Sequence, residues 1–372
     1  MDDFSIYKIK DSVDLFLSNG TYLMAYYMNS RQRKTFKINE ATVRLLEEID
    51  GITTIGSIKE KLSKNYEINS ELVDTVIEAM QRNRIVAPVI SNCDILSEED
   101  LLRYTRQINY FSEFLNDDVA AIKAQKGLMD AKVLIFGCGA IGGTIALELA
   151  MAGVRHLAIY DDDIVEKSDA SRHMFFSDKN NGKKKVEALK EELQRIDSKI
   201  SVKLIDEYMR PETAVENLIK EADFVVNTLD EPYIGYTASK ISRICIKHNI
   251  PHYIAGGFDA HLASTGELII PYVTPCVECY AGHFKIKLKN WKPKKHPVIE
   301  RFREIGGLAS MSLFSSSYAC IEIIKVLAGL IEMDENYKVR GEFLFPDMSL
   351  TYLDVKKNPK CPVCGGIILN ET

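Results

Sequence analysis

The N-terminus has no apolar run behind a basic start, so nothing there reads as a secretory signal, and a cytoplasmic location is expected. Positive charge is not in excess either. The 47 Lys and Arg face 53 Asp and Glu, a formal net charge of −6, which removes any general attraction to nucleic acid or to an anionic membrane. A clean membrane span is also missing. Val133–Val154 is long and nearly uncharged, but Glu148 and the glycines crowded at one end mark a turn. Residues 306–331, rich in small and apolar side chains, carry Glu322 and Lys325 and read as a core or subunit-interface helix. Tryptophan occurs once. Trp291 lies among Lys285, Lys287, Lys289, Lys292, Lys294 and Lys295, either a solvated loop or one lining an acidic or phosphate-bearing substrate. In a reducing compartment the eight cysteines do not imply a disulfide framework, so paired ones suggest metal.

What is present centres on residues 133–163. The apolar run Val133–Phe136 reads as a buried parallel strand, and Gly137-Cys138-Gly139-Ala140-Ile141-Gly142 follows as a GxGxxG turn. A helical pattern, a second strand at Leu157–Tyr160 and the acids Asp161, Asp162 and Asp163 complete a nucleotide-binding βαβ unit. Gly137, Gly139 and Gly142 let backbone N–H groups approach a phosphate at the positive end of a helix. An acid after the second strand can hold ribose hydroxyls. Phe224–Val226 reads as a further strand ending at Asn227-Thr228-Leu229-Asp230, which places Asp230 at a carboxyl end, where ligands bind in such sheets.

Residues 1–88 read as a separate α+β module. Ile6–Ile9, Val13–Leu17, Thr21–Tyr27 and Lys34–Ile38 are short strands, with Ser18-Asn19-Gly20 a hairpin turn. Asn39 caps a helix over Ala41–Ile49. Ile55, Ile58 and Leu62 mark a second helix, and Leu72, Val73, Val76, Ile77 and Met80 a third. The order is winged-helix-like. DNA binding is disfavoured, because the last helix carries Glu71, Asp74 and Glu78, the wrong sign for a phosphate backbone. Residues 89–101 read as a linker and 102–372 as the main domain. Late in the chain, Cys276-Val277-Glu278-Cys279 and Cys361-Pro362-Val363-Cys364 are two CxxC knuckles, a four-thiolate signature for structural zinc. A closed site of this kind staples the tail to the domain and does no chemistry.

In combination, Arg103-Tyr104-Thr105-Arg106-Gln107-Ile108, the glycine turn, Asp161-x-Asp163…Ser168-x-x-x-Arg172, Gly182–Lys185, Asp230 and both knuckles resemble the E1-like (ThiF/MoeB-type) adenylating enzymes over residues 103–365. That group includes the molybdopterin and thiamine sulfur-carrier activators. The N-terminal module resembles the PqqD-like peptide-recognition domain of enzymes that modify ribosomally made peptides, and Asp230-Glu231-Pro232-Tyr233 is similar to a run in the microcin C7-type peptide adenylyltransferases. The resemblance implies a Rossmann-like adenylation domain with a mixed sheet, using ATP and Mg²⁺, with Zn²⁺ on the cysteines. It implies that Asp161 binds the ATP ribose, with Asp163 beside it, and that Arg172 and Lys185 bind phosphates. Asp230 would hold magnesium near the α-phosphate. Arg106 would reach the phosphates of the partner subunit, hence a homodimer.

The expected reaction is adenylation of a carboxylate on a precursor peptide, giving peptidyl-AMP and pyrophosphate, with cyclisation or phosphoramide formation as further steps. The alternatives are adenylation of a ubiquitin-like sulfur carrier's Gly-Gly tail and a non-catalytic leader-binding partner. A nicotinamide dehydrogenase would explain the glycine turn but neither the arginines nor the knuckles. Two departures stand out: Asp169, where the family usually has Asn, and His173, where it often has Gln. An added carboxylate near phosphates repels them unless it binds Mg²⁺ or turns away. No cysteine lies between Cys279 and Cys320, where thioester-forming relatives place a nucleophile, so no covalent thioester to the enzyme is expected. Cys320 is expected in the core.

Overall fold

The computed structural model describes residues 2–89, 95–115, 117–231, 233–256, 258–259, 262–287, 289 and 308–365. The chain divides into two compact units, Met1–Lys123 and Ala124–Thr372.

In the first unit, Asn19 and Gly20 both take left-handed backbone (φ 51° and 66°) and turn β2 (Val13–Ser18) back onto β3 (Tyr22–Tyr27). β4 (Gln32–Lys37) completes an antiparallel sheet in the order β2-β3-β4. Alternation sorts its two faces: Leu23, Ala25 and Tyr27 point inward and are buried. The first strand, β1 (Tyr7–Ile9), is not part of this sheet. It pairs antiparallel with β5 (Val86–Pro88), a strand the sequence conceals because Pro88 reads as a terminator. Pro88 is tolerated there because it ends a strand. Three helices pack between: α1 (Glu40–Glu48), α2 (Ile55–Tyr66) and α3 (Ser70–Arg82). Each opens on a side-chain cap, Asn39 accepting from Thr42 N–H, Thr54 from Ser57 and Asn69 from Glu71. Their apolar faces meet in a core containing Leu45, Ile55, Ile58, Leu62 and Ile77.

Helix α4 (Glu98–Leu115) begins within the segment read as a linker, and α5 (Asp118–Asp130) follows; residues 90–94 lie outside the described set. Arg84 Nη2 donates to the Ser112 carbonyl at 2.8 Å, and Lys10 pairs with Asp118 at 3.1 Å, which ties these helices to the module.

The second unit is built on a six-stranded mixed sheet. Its strands are β6 (Lys132–Phe136), β7 (His156–Tyr160), β8 (Ser201–Ile205), β9 (Phe224–Asn227), β10 (His252–Ile254) and, further along, β13 (Glu267–Ile269). The order is β13-β10-β9-β6-β7-β8, all parallel except β13, which runs antiparallel to β10. Strand order therefore reverses between β6 and β9, and a crevice opens at their carboxyl ends. Helices α6 (Ala140–Ala152), α7 (Lys185–Ile196), the short α8 (Glu216–Lys220) and α9 (Ile234–Lys247) make the crossovers. A second sheet, in the order β11-β12-β14-β15, uses Phe258–Asp259, Leu262–Ser264, Gly341–Leu344 and Ser349–Tyr352. These strands of two to four residues are too short to show a period in the sequence.

Helix α10 (Val277–Lys287) carries one cysteine knuckle, and α11 (Ala309–Leu327) lies on α6. By length and composition α11 could cross a membrane. Its packing is that of a core helix: Ser316 Oγ donates to the Ile141 carbonyl, Cys320 Sγ to the Ile145 carbonyl, and Ser317 Oγ to Glu148 at 2.6 Å. Cys320 is buried as expected.

Leu62 is fully buried at the centre of the first unit. Leu62→Ala should cost about 2–5 kcal/mol through lost transfer energy and the cavity left behind. Urea denaturation should show a lowered transition, and an unchanged midpoint would refute this placement of the core.

Candidate active site

The glycine turn is closed beneath and open above. Gly137 takes φ +96°, and a Cβ on it would lie 2.3 Å from Thr228 Oγ1. A Cβ on Gly142 would lie 2.1 Å from the Gly137 carbonyl oxygen. Only glycine permits this approach of strand, turn and helix. Gly139, by contrast, has nothing within 4 Å of its added Cβ. It is the N-cap of α6 and supplies no side-chain cap, so no cap side chain occupies the first N–H groups of this 13-residue helix. That is an arrangement for holding phosphate oxygens.

Next to the turn, the end of β7 delivers Asp161, which is 7% exposed. Its Oδ2 accepts the Cys138 N–H at 2.6 Å and its Oδ1 the Asp163 N–H at 2.9 Å. Burial holds its pKa above the ordinary carboxylate value, against those two hydrogen bonds and the charge of Lys185. Each oxygen keeps acceptor capacity for a hydroxyl. Asp163 is exposed and pairs with Lys185 Nζ at 2.8 Å. For Lys185, burial favours loss of the proton, but the hydrogen bond to Asp163 and the charges of Asp161, Asp163 and Asp169 outweigh it. The ammonium is held above its usual pKa and stays charged. The structure thus brings Asp161, Asp163 and Lys185 together at the mouth of the crevice.

Asp169 explains its own departure. It sits buried in a one-turn 3₁₀ helix, Lys167–Ser171, where its Oδ2 accepts the Glu166 N–H at 3.0 Å. Its Oδ1 accepts from Arg172 Nη2 at 3.3 Å. The carboxylate has turned inward, and its charge is used to hold Arg172, whose side chain remains 55% exposed. His173 is buried behind it, stacked near Phe175 and Phe176, with Nδ1 2.9 Å from the Asp169 carbonyl. Burial lowers its pKa, so the imidazole is neutral at pH 7.

Asp230 follows β9 on an exposed loop. The loop's path is fixed by Asn227, Thr228 and Thr237, none of which stands out in the sequence as a site residue. Thr228 Oγ1 donates to the Phe136 carbonyl at 2.9 Å, Leu229 N–H donates to Asn227 Oδ1, and Thr237 Oγ1 donates to the Leu229 carbonyl at 2.7 Å. The run Asn227-Thr228 before an acid is the signal in the sequence for this fixed path. Pro232 lies outside the described residues. Asp230 has no ion pair among the described residues. The same is true of Arg106, which is exposed on α4 in the first unit. Of the lysine-rich stretch, Lys285 and Lys287 end α10 and Lys289 is described; Trp291 and the remaining lysines lie outside the described residues.

The four knuckle cysteines converge. All are buried, and their sulfurs lie within 4.8 Å of one another. Cys276–Cys361 is 3.6 Å, Cys279–Cys364 3.5 Å and Cys276–Cys279 3.9 Å. Four sulfurs each 2.3 Å from one tetrahedral ion would be spaced by ~3.8 Å, so the set fits zinc. Elemental analysis should find about one zinc per chain. Cys361→Ser should lose it and melt at lower temperature; a metal-free protein of equal stability would refute the site.

A model of the ThiF family matches residues 104–363. The chain is 28% identical over 276 residues to the sulfur carrier protein ThiS adenylyltransferase of Escherichia coli strain K12, covering 73% of this chain and 98% of that protein. It is 30% identical over 277 residues to the vegetative protein HesA of Trichormus variabilis, covering 73% and 91%. Among solved structures it resembles Escherichia coli MccB with MccA-N7isoAsn (TM-score 0.68, 20% identity, 97% of this chain and 99% of that one). It also resembles selenomethionine PaaA (TM-score 0.70, 21% identity, 94% and 100%). A glycine turn open to phosphate, an acid pinned beside it and a family match over most of the chain agree: the protein belongs to the ThiF family of E1-like, ATP-using adenylyltransferases.

Proposed function

We propose that this enzyme adenylates a carboxylate on a ribosomally made precursor peptide. One observation carries the choice of substrate. The ThiS adenylyltransferase is matched over 98% of its length by 73% of this chain, so the remainder has no counterpart there, whereas MccB is matched by 97% of this chain. MccB has been crystallised with the MccA peptide. Residues 1–88 then recognise the leader, and residues 102–372 carry out the adenylation. The sheet β2-β3-β4 ends at β4 among the described residues, and its edge could take a peptide as an added strand.

In the reaction a carboxylate oxygen attacks the α-phosphorus, the α–β phosphoanhydride bond breaks and pyrophosphate leaves with the bonding electrons. Negative charge builds on phosphate oxygens, so the protein's task is positioning and charge stabilisation. The N–H groups of α6 cradle the phosphates, and Asp161 takes the ribose hydroxyls. Lys185, kept charged by its acidic neighbours, and Arg172, held by Asp169, face the triphosphate. Arg106, exposed and without an ion pair among the described residues, serves the partner subunit's site in a homodimer. Asp230 would hold Mg²⁺, which neutralises phosphate charge when bound. The sequence similarity to the ThiS adenylyltransferase favours a second reading, activation of a carrier's Gly-Gly tail.

The protein mixed with ATP, Mg²⁺ and peptides encoded beside it should release pyrophosphate and add AMP mass to one of them. Release with a Gly-Gly-ended carrier alone would favour the second reading, and release with neither would leave a non-catalytic leader binder. Lys185→Ala should lower kcat/KM by about 10²–10³-fold, the scale of one lost transition-state contact. Arg106→Ala should abolish turnover while peptide binding by calorimetry is retained; surviving turnover would exclude the role in trans.

A further inference from the structure

A cavity of about 260 Å³ lies in the second unit beyond the nucleotide crevice. Ile234, Gly235 and Ala238 of α9 form one side, Ile254 and Gly256 at the end of β10 the floor, and Ala281 and Phe284 of α10 the other side. Its place in the sheet is informative. β10 is the neighbour of β9, with Ile254 opposite Asn227, and α9 starts directly after the loop that carries Asp230. The cavity is therefore one strand further along the same row of carboxyl ends that holds Asp161, the glycine turn and Asp230. Whatever reacts at the α-phosphate beside Asp230 has this cavity next to it.

The lining is mostly apolar; besides Ser264 and Tyr280 its polar side chains are a charged pair, in which Arg340 donates through Nη1 to Glu267 Oε1. Arg340 also lies over the Phe284 ring at 5.1 Å and near that of Tyr280. Glu267 is 7% exposed. The two charges offset one another within the wall, so a charged occupant would be buried without a counterion of its own and disfavoured.

We propose that this cavity holds the side chain of the residue whose carboxylate is adenylated, and that the Glu267–Arg340 pair restricts it to uncharged side chains. The inference rests on the adenylation reading for the identity of the occupant. The cavity's selectivity is measured without turnover, so either can fail alone.

The test uses N-acetylleucine, N-acetylglutamate and N-acetyllysine as probes and saturation-transfer NMR on the full chain. N-acetylleucine should bind, and the two charged probes should bind about tenfold more weakly or not at all. Ala281 is exposed at the rim. Ala281→Phe should therefore fold and weaken N-acetylleucine by about tenfold, by occupying the apolar space. Glu267→Gln leaves Arg340 uncompensated and should reverse the preference toward N-acetylglutamate. Equal binding of all three probes, no binding of N-acetylleucine, or no change in a folded Ala281→Phe would overturn the proposal. Pyrophosphate release, assayed separately, reports on the adenylation reading alone.

Discussion

The hydrogen bond from the Cys138 N–H to the Asp161 carboxylate joins the ends of two neighbouring strands. Much of the site depends on it. It orients the glycine turn at the start of α6 and fixes the Asp161 carboxylate beside that turn. The bond is stable because Asp161 is buried and accepts a second N–H, from Asp163. Asp163 is thereby turned outward toward Lys185. One backbone contact thus determines where a charged pair stands, and the pair in turn keeps the lysine protonated.

Parts of this arrangement were legible in the residues. The βαβ unit was, because a parallel strand buried on both faces gives an unbroken apolar run and the turn after it demands glycine at fixed spacing. The knuckles were too, because the geometry of a tetrahedral ion needs short spacers. In the N-terminal module, side-chain caps at Asn39 and Asn69 and the Asn19-Gly20 turn place elements by local chemistry alone. What could not be read is what long-range contacts decide. β5 exists only because β1 pairs with it. The short strands β11 to β15 exist through their partners. Thr228 looks like an ordinary loop residue until the fold sets its hydroxyl under Gly137.

Asp169 shows the same limit in charge. In one dimension it is an extra negative residue in a stretch expected to bind phosphate, and repulsion is the natural expectation. In three dimensions its oxygens are spent on the Glu166 N–H and on Arg172. The cost of burying a carboxylate is met by a cap and an ion pair, and the arginine gains an anchor. A neutral amide at this position could keep the cap but would hold the guanidinium less firmly.

The converged cysteines join α10 to a segment some eighty residues later. Because α10 also walls the cavity beside β10, that wall is secured in two stages: Glu278 accepts from Ser239 and Arg243 of the preceding α9, and the second knuckle is added by chain that leaves the ribosome some eighty residues later. At translation rates of about 5–20 residues per second, the interval is several seconds. During synthesis, then, α10 is first held by its neighbour in the chain and only afterwards stapled to the tail.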